Sequence, residues 1–244
     1  MKNVELLSFP NPDALAAAAA TAWVDEIESA NHAGKSHCVA LSGGRITQNF
    51  FLSTTEKALA RNVSFKSVHF FWADERCVPP DDPESNFKLA DDLLFTPLKI
   101  SESQIHRLRG ELPPEDAVVQ ANSEISSVAP VENGQAVLDL IFLGMGEDGH
   151  IASLFQNARF EPEKSAKCNG PFFFVPDSPK PPPRRISLNY NAIVAARQVW
   201  VLVSGTGKED ALRKSLNAEG QTPLGRVIKF RTSTKIFVDI NVRI

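Results

Sequence analysis

The sequence predicts an α/β domain built on a mainly parallel sheet, and three observations predict it. Short apolar runs alternate with helix-forming segments along most of the 244 residues, the order that joins neighbouring strands through helical crossovers. The runs at 38–41, Val68–Trp72, 138–143 and 199–203 are apolar at almost every position, as in strands buried on both faces. Each of them then runs into a turn rich in glycine or charge, and in open α/β sheets ligands bind beyond the carboxyl ends of the strands.

Val4–Ser8 begins the chain as a short edge strand. Asn11 has the chemistry of a helix N-cap, Pro12 suits the first helical position and Asp13 the first turn. Leu15, Ala19, Trp23 and Ile27 form one apolar stripe on that helix, and Gly34 stops it. The strand at 38–41 passes through Ser42, Gly43, Gly44 and Arg45 into a second helix from about Thr47. A small turn opening a helix leaves backbone N–H groups pointing outward, so these residues form either an anion site with Arg45 or a plain tight connection. Val68–Trp72 leads into Asp74, Glu75 and Arg76, where the arginine suits phosphate oxygens and Glu75 suits either a direct role or a salt-bridge cluster. His69 and His106 are read as ordinary structural histidines.

Ser85 caps a helix over 87–94, residues 105–108 form a strand, and Pro113 and Pro114 open a helix running to about Ser127. The run at 138–143 ends in Gly144, Gly146 and Gly149, which carry Glu147, Asp148 and His150 among them. A buried strand ending in flexible backbone, a carboxylate and an imidazole points to hydrolytic or proton-transfer chemistry. Residues 156–183 are broken by prolines and form an irregular excursion beside the site, a wall or lid. Arg185 precedes a short strand, and the strand at 199–203 ends in a turn carrying Gly207 and Lys208 before a helix to about Asn217. A helical turn at 223–228 and a strand at 235–239 complete the order.

A net charge of -3 argues against a nucleic-acid surface or an anionic-membrane binder, so an anionic ligand requires local cations. Cys38, Cys77 and Cys168 lie far apart without metal-ligand spacing, which disfavours a disulfide framework and a structural zinc site and fits the reducing cytoplasm. No run approaches the ~18 apolar residues of a membrane span. The alanines at 14–20 resemble a signal-peptide core, but Glu5, Pro12 and Asp13 argue against that reading.

Two motif matches fail on context. Gly144, Gly146 and Gly149 spell a dinucleotide fingerprint, yet late in the chain and with Glu147 and Asp148 where a pyrophosphate would lie. Gly207-Lys208 lacks the first glycine and the Ser/Thr of a P-loop. What remains is a set of cations, Arg45, Arg76, Arg185 and Lys208, around the pair Asp148 and His150. The residues by themselves indicate a hydrolase or isomerase of a small phosphorylated compound, and without metal-ligand spacing, a Gly-x-Ser-x-Gly elbow or a Cys/His nucleophile a covalent acyl-enzyme is not favoured.

LSGGR at 41–45, WADERCVP at 72–79, SNF at 85–87, LGMGEDGHIASLF at 143–155, PPPRRISL at 181–188 and IFVD at 236–239 together resemble the 6-phosphogluconolactonase family of the glucosamine-6-phosphate isomerase/deaminase superfamily. The deaminase branch resembles the same loop up to Ala152 and then diverges from Ser153-Leu154-Phe155. Gln48 and Gln156 stand where the family usually has prolines, and Asn189-Tyr190 where it has threonine. The resemblance implies a single Rossmann-like domain over 1–244, with helices on both faces of the sheet. It implies cytoplasmic hydrolysis of 6-phospho-D-glucono-1,5-lactone in the pentose phosphate pathway, without a cofactor and by a monomer or weak homo-oligomer. His150 is then the base that activates water and Asp148 its partner, with Ser42, Gly43, Gly44, Arg45, Asp74, Arg76, Lys208 and Arg185 contacting phosphate and sugar. An isomerase or deaminase with a carboxylate base such as Asp74, or a non-catalytic sugar-phosphate-binding protein, is the alternative.

Overall fold

The structure, a computed structural model, describes residues 4–156, 170–217 and 220–242. Strand β1 (Val4–Ser8) leads to helix α1 (Pro12–His32), where the Asn11 side chain accepts the Ala14 N–H at 2.8 Å. Leu15, Ala19, Trp23 and Ile27 are fully buried, so the expected stripe is the face α1 turns to the core. Strand β2 (His37–Leu41) is buried throughout, and helix α2 (Arg45–Arg61) starts at Arg45 rather than at about Thr47. Gly44 makes this possible: it caps the helix at a φ of 109°, which a side-chain-bearing residue adopts only under strain.

Strand β3 (Val68–Trp72) is followed at once by β4 (Asp74–Arg76), and α3 (Asn86–Ala90) passes through a π turn at Asp91–Phe95 into α4 (Thr96–Leu98). Helix α5 (Pro114–Val128) and a hairpin of β5 (Val131–Glu132) and β6 (Gln135–Ala136) precede β7 (Leu140–Gly144). Then come β8 (Phe172–Val175), β9 (Arg185–Leu188), α6 (Tyr190–Ala195) and β10 (Gln198–Val203). Helices α7 (Glu209–Leu216) and α8 (Pro223–Phe230) lead to β11 (Thr234–Val238).

Six strands in the order β1-β11-β10-β7-β2-β3 form one sheet, parallel at every pairing. Helices α1 and α2, which join β1 to β2 and β2 to β3, pack on each other, and right-handed crossovers of the usual kind would set them on the face opposite the helices of the return path. The chain moves outward from β2 to β3 and then back across to β7, so the order reverses between β2 and β7. Their pairing covers only Val39 with Leu140 and Ala40 with Ile141. Beyond it the Ser42 hydroxyl donates to the Phe142 carbonyl at 2.8 Å, tying the two strand ends together at the switch point. Beneath them Trp23 meets Phe50, Phe70 and Phe142 with ring centroids 5.1–6.5 Å apart, a cluster of the kind where truncation to alanine costs about 3–5 kcal/mol.

Four readings of the sequence are corrected. Asp74–Arg76 is a strand, not a strand-end loop, and pairs antiparallel with β9, which pairs with β8 in a second sheet. Residues 172–175, expected to be irregular, form β8 because their apolar run finds a partner in β9 and Asn122 accepts the Phe172 N–H at 2.8 Å. Residues 105–108 do not form a strand: a single bridge joins Ile105 to Phe70. Helix α6 was not expected, and Asn189, the residue that departs from the family pattern, caps it by accepting the Ala192 N–H at 2.8 Å. Cys168 and residues 157–169 of the excursion lie outside the described residues. No helix among the described residues is long and apolar enough to cross a membrane.

Candidate active site

The turns following β2, β7 and β10 meet β4 and the start of β9 at the carboxyl edge of the sheet around a cleft of about 410 Å³. Ser42, Gly43, Gly44, Arg45, Asp74, Arg76, His150, Arg185 and Lys208 all line it, so nine positions scattered over the chain share one space. Asp148 does not line the cleft; it stands behind His150.

His150 is held by its own loop. Its carbonyl accepts the Gly146 N–H at 2.9 Å, and Gly146 in turn accepts the Gly149 N–H at 3.0 Å. Asp148 Oδ1 lies 2.5 Å from His150 Nδ1, and the Phe155 ring covers the imidazole with centroids 4.6 Å apart. The carboxylate assigns the proton to Nδ1, which leaves Nε2 without a hydrogen-bond partner among the described residues. Burial pushes His150 below its ordinary value of 6.5, against the hydrogen bond and charge of Asp148 that pull it up. Burial raises Asp148, but the His150 hydrogen bond and charge outweigh this and hold it below the usual carboxylate range. A neutral imidazole with an oriented lone pair results. Gly146 leaves room for it: a Cβ there would come within 2.0 Å of His150 Cε1.

Lys208 is the N-cap residue of α7 and reaches the cleft from the β10 side. Burial lowers its amine and the neighbouring Arg45 lowers it further, while Asp239 and Glu147 oppose them. Asp239 also fixes the preceding turn, accepting the Ser204 hydroxyl at 2.6 Å and the Gly205 N–H at 3.2 Å. Neither Lys208 nor Arg45 has an ion-pair partner among the described residues. Together with the uncapped N-terminus of α2, they make a cationic end to the cleft.

The opposite wall is more heavily engaged. Arg76 donates to the Glu84 carbonyl at 2.7 Å while its Nε is buried without a partner among the described residues. Arg185 spends Nε and Nη2 on the carbonyls of Lys180, Pro181 and Pro182 at 3.0–3.1 Å, and so clamps that loop as well as lining the cleft. Glu75 does not reach the cleft. It accepts the N–H groups of Arg76, Asn86 and Phe87 and the Ser85 hydroxyl, which joins β4 to the start of α3. Burial pushes Glu75 up to about 7, against those backbone donors.

Asn86 was missed as a site residue. It lines the cleft, donates from Nδ2 to the Asp74 carbonyl at 2.8 Å and packs over Gly43, where a Cβ would fall 1.8 Å from its Oδ1. The signal was its place after the Ser85 cap, which aims it at the end of β4. No group of three or more His, Cys, Asp or Glu suited to a metal occurs among the described residues.

Residues 10–236 match the family model described as "Glucosamine-6-phosphate isomerases/6-phosphogluconolactonase". A 6-phosphogluconolactonase of Mycobacterium tuberculosis is 37% identical over 216 residues, covering 85% of this chain and 84% of the relative. Among solved structures, a devB protein superposes with a TM-score of 0.84 at 29% identity, covering 96% of each chain. A 6-phosphogluconolactonase from Thermotoga maritima gives 0.78 at 27% identity, covering 97% of this chain and 98% of its own. With its sheet order, its cleft at the switch point and these relatives in agreement, the chain belongs to the glucosamine-6-phosphate isomerase/6-phosphogluconolactonase family.

Proposed function

We propose that this protein hydrolyses 6-phospho-D-glucono-1,5-lactone to 6-phosphogluconate, with His150 activating the attacking water and no covalent intermediate. The observation that carries this reading is that His150, with its Nδ1 held by Asp148, lines the same cleft as Arg45 and Lys208, two cations without an ion-pair partner among the described residues. In the proposed reaction the phosphate binds at the cationic end, so the ring carbonyl lies beside the imidazole. His150 Nε2 takes a proton from water as its oxygen bonds to C1. The tetrahedral oxyanion collapses, the bond from C1 to the ring oxygen breaks, and His150 returns the proton to that oxygen. General base catalysis of this kind contributes ~10²–10⁴-fold, and fixed positioning in the cleft adds to it. The relatives named 6-phosphogluconolactonase support the substrate.

The test is lactone hydrolysis measured with and without the 6-phosphate, corrected for spontaneous ring opening. Selective turnover of the phosphorylated lactone is the expected result. Asp74 in the cleft supports a second reading, an isomerase or deaminase with a carboxylate base. Ammonia release from glucosamine 6-phosphate would decide for it.

A further inference from the structure

Helices α2 and α4 end in the same way. Asn62 and Lys99, the residues after their last turns, are left-handed, with φ of 52° and 54°. The Asn62 N–H donates to the Leu59 carbonyl at 3.2 Å and the Val63 N–H to the Ala58 carbonyl at 3.0 Å. Lys99 and Ile100 repeat the pattern on the carbonyls of Thr96 and Phe95, at 3.2 and 3.0 Å. These are two Schellman caps, in which the apolar residue after the left-handed one turns back against its own helix. Val63 and Ile100 hold that place in the two caps, and both line one groove of about 310 Å³.

The walls of the groove are apolar and its backbone is held. Leu59, Val63, Phe65, Leu98 and Ile100 line it, and Leu59 is 61 % exposed. Gln104 Nε2 donates to the Phe65 and Val68 carbonyls at 2.6 and 2.7 Å, and Asn31 Nδ2 to the Ser64 carbonyl at 2.8 Å. The segment after α2 is thus fixed before anything binds, which lowers the ordering cost of binding.

Charge at the groove has one sign. Lys66 and Lys99 line it, both exposed and neither with an ion-pair partner among the described residues, and no Asp or Glu lines it. A concavity of ~300 Å³ or more, apolar with a few polar groups, is the form of a small-molecule site. Two free ammonium groups beside apolar walls complement an anion carried on an aliphatic chain.

We propose that this groove binds a small aliphatic carboxylate, with its chain against Leu59, Val63 and Ile100 and its anion at Lys66 and Lys99. Its size suits a single chain rather than the ~800 Å² per partner of a protein interface. The site is separate from the cleft around His150. Helix α2 is 17 residues long, about 25 Å, and Arg45 at its start lines the cleft while Leu59 in its last turn lines the groove.

The test is titration of the full chain, labelled with ¹⁵N, with butanoate, hexanoate and octanoate below their aggregation limits, followed by amide NMR shifts. Saturable shifts at residues 59–66 and 98–104 are expected, with affinity rising about two- to fourfold per added methylene until the groove is filled. Octanoate should bind roughly two- to fivefold more tightly than octanol, and octylammonium more weakly than either. Leu59→Ser should weaken octanoate roughly five- to tenfold. The double variant Lys66→Gln, Lys99→Gln should remove the advantage of octanoate over octanol and leave octanol binding as it is. All three side chains are exposed, and the same spectra check the fold of each variant. If a variant unfolds, the ligand series in wild type decides alone. Shifts centred on the cleft or scattered over the surface, no saturable binding, equal binding of octanoate and octylammonium, or unchanged octanoate affinity in Leu59→Ser overturns the proposal.

Discussion

His150 Nδ1 lies 2.5 Å from Asp148 Oδ1, and this contact ties one imidazole nitrogen to a carboxylate of the same loop. The two residues are separated only by Gly149, whose φ of 80° folds the loop back on itself. A carboxylate two residues upstream thus orients the ring without help from another element.

The first prediction concerns pH. Burial places His150 below its ordinary value of 6.5, so as the proposed base it is mostly neutral at neutral pH. kcat/KM is expected to fall on the acid side with a limb centred below 6.5. Replacing Asp148 by Asn removes the partner that opposes the effect of burial, so the limb moves further down. It also frees the tautomer, at a cost on the order of 10²–10⁴-fold in rate. A limb above the ordinary histidine value would contradict this picture.

Gly146→Ala is predicted to displace the imidazole while leaving the sheet intact. The new Cβ would fall 2.0 Å from His150 Cε1 and 2.9 Å from Asp148 Oδ1, both side-chain atoms that can move. Activity is expected to drop at least about tenfold through kcat, in keeping with the sensitivity of catalysis to small misplacements. Its thermal midpoint should stay close to that of wild type, and a crystal structure should show the ring moved.

Lys208→Ala should weaken binding of a phosphorylated ligand roughly 10- to 100-fold, the range for a charge-assisted contact. Affinity for the unphosphorylated analogue should not change. Arg76→Ala should act in the same direction. Isothermal titration at two salt concentrations checks both, since loss of a cation also lowers the salt dependence.

Glu75→Gln is a stability prediction. Four donors converge on its two oxygens, so an amide NH2 in place of either oxygen sets donor against donor in a buried site. A loss of about 2–4 kcal/mol is expected in urea denaturation. A midpoint like that of wild type would show that the donors find water or other partners.

Much of this was legible because it is local. Asn11 caps α1 by reaching its own first turn, and the glycines around Asp148 and His150 announce a tight loop within a few residues of sequence. The antiparallel sheet was not legible. Asp74–Arg76 is short and charged, and its partner β9 lies more than a hundred residues away, so no periodicity marks it. Asn86 and Ser153 were hidden for another reason: their relation to Asp74 exists only once β4, α3 and the loop after β7 are packed together. Asn189 looked like a departure from a family pattern because its task, capping α6, is invisible without the helix.

The central claim is that His150 supplies the base for hydrolysis of a phosphorylated lactone. The direct measurement compares initial rates of 6-phosphogluconolactone hydrolysis by wild type and His150→Ala, with spontaneous opening subtracted and binding of 6-phosphogluconate measured on the same samples. The account predicts a fall of ~10²–10⁴-fold in turnover, with product binding retained. Turnover like that of wild type in His150→Ala would contradict it.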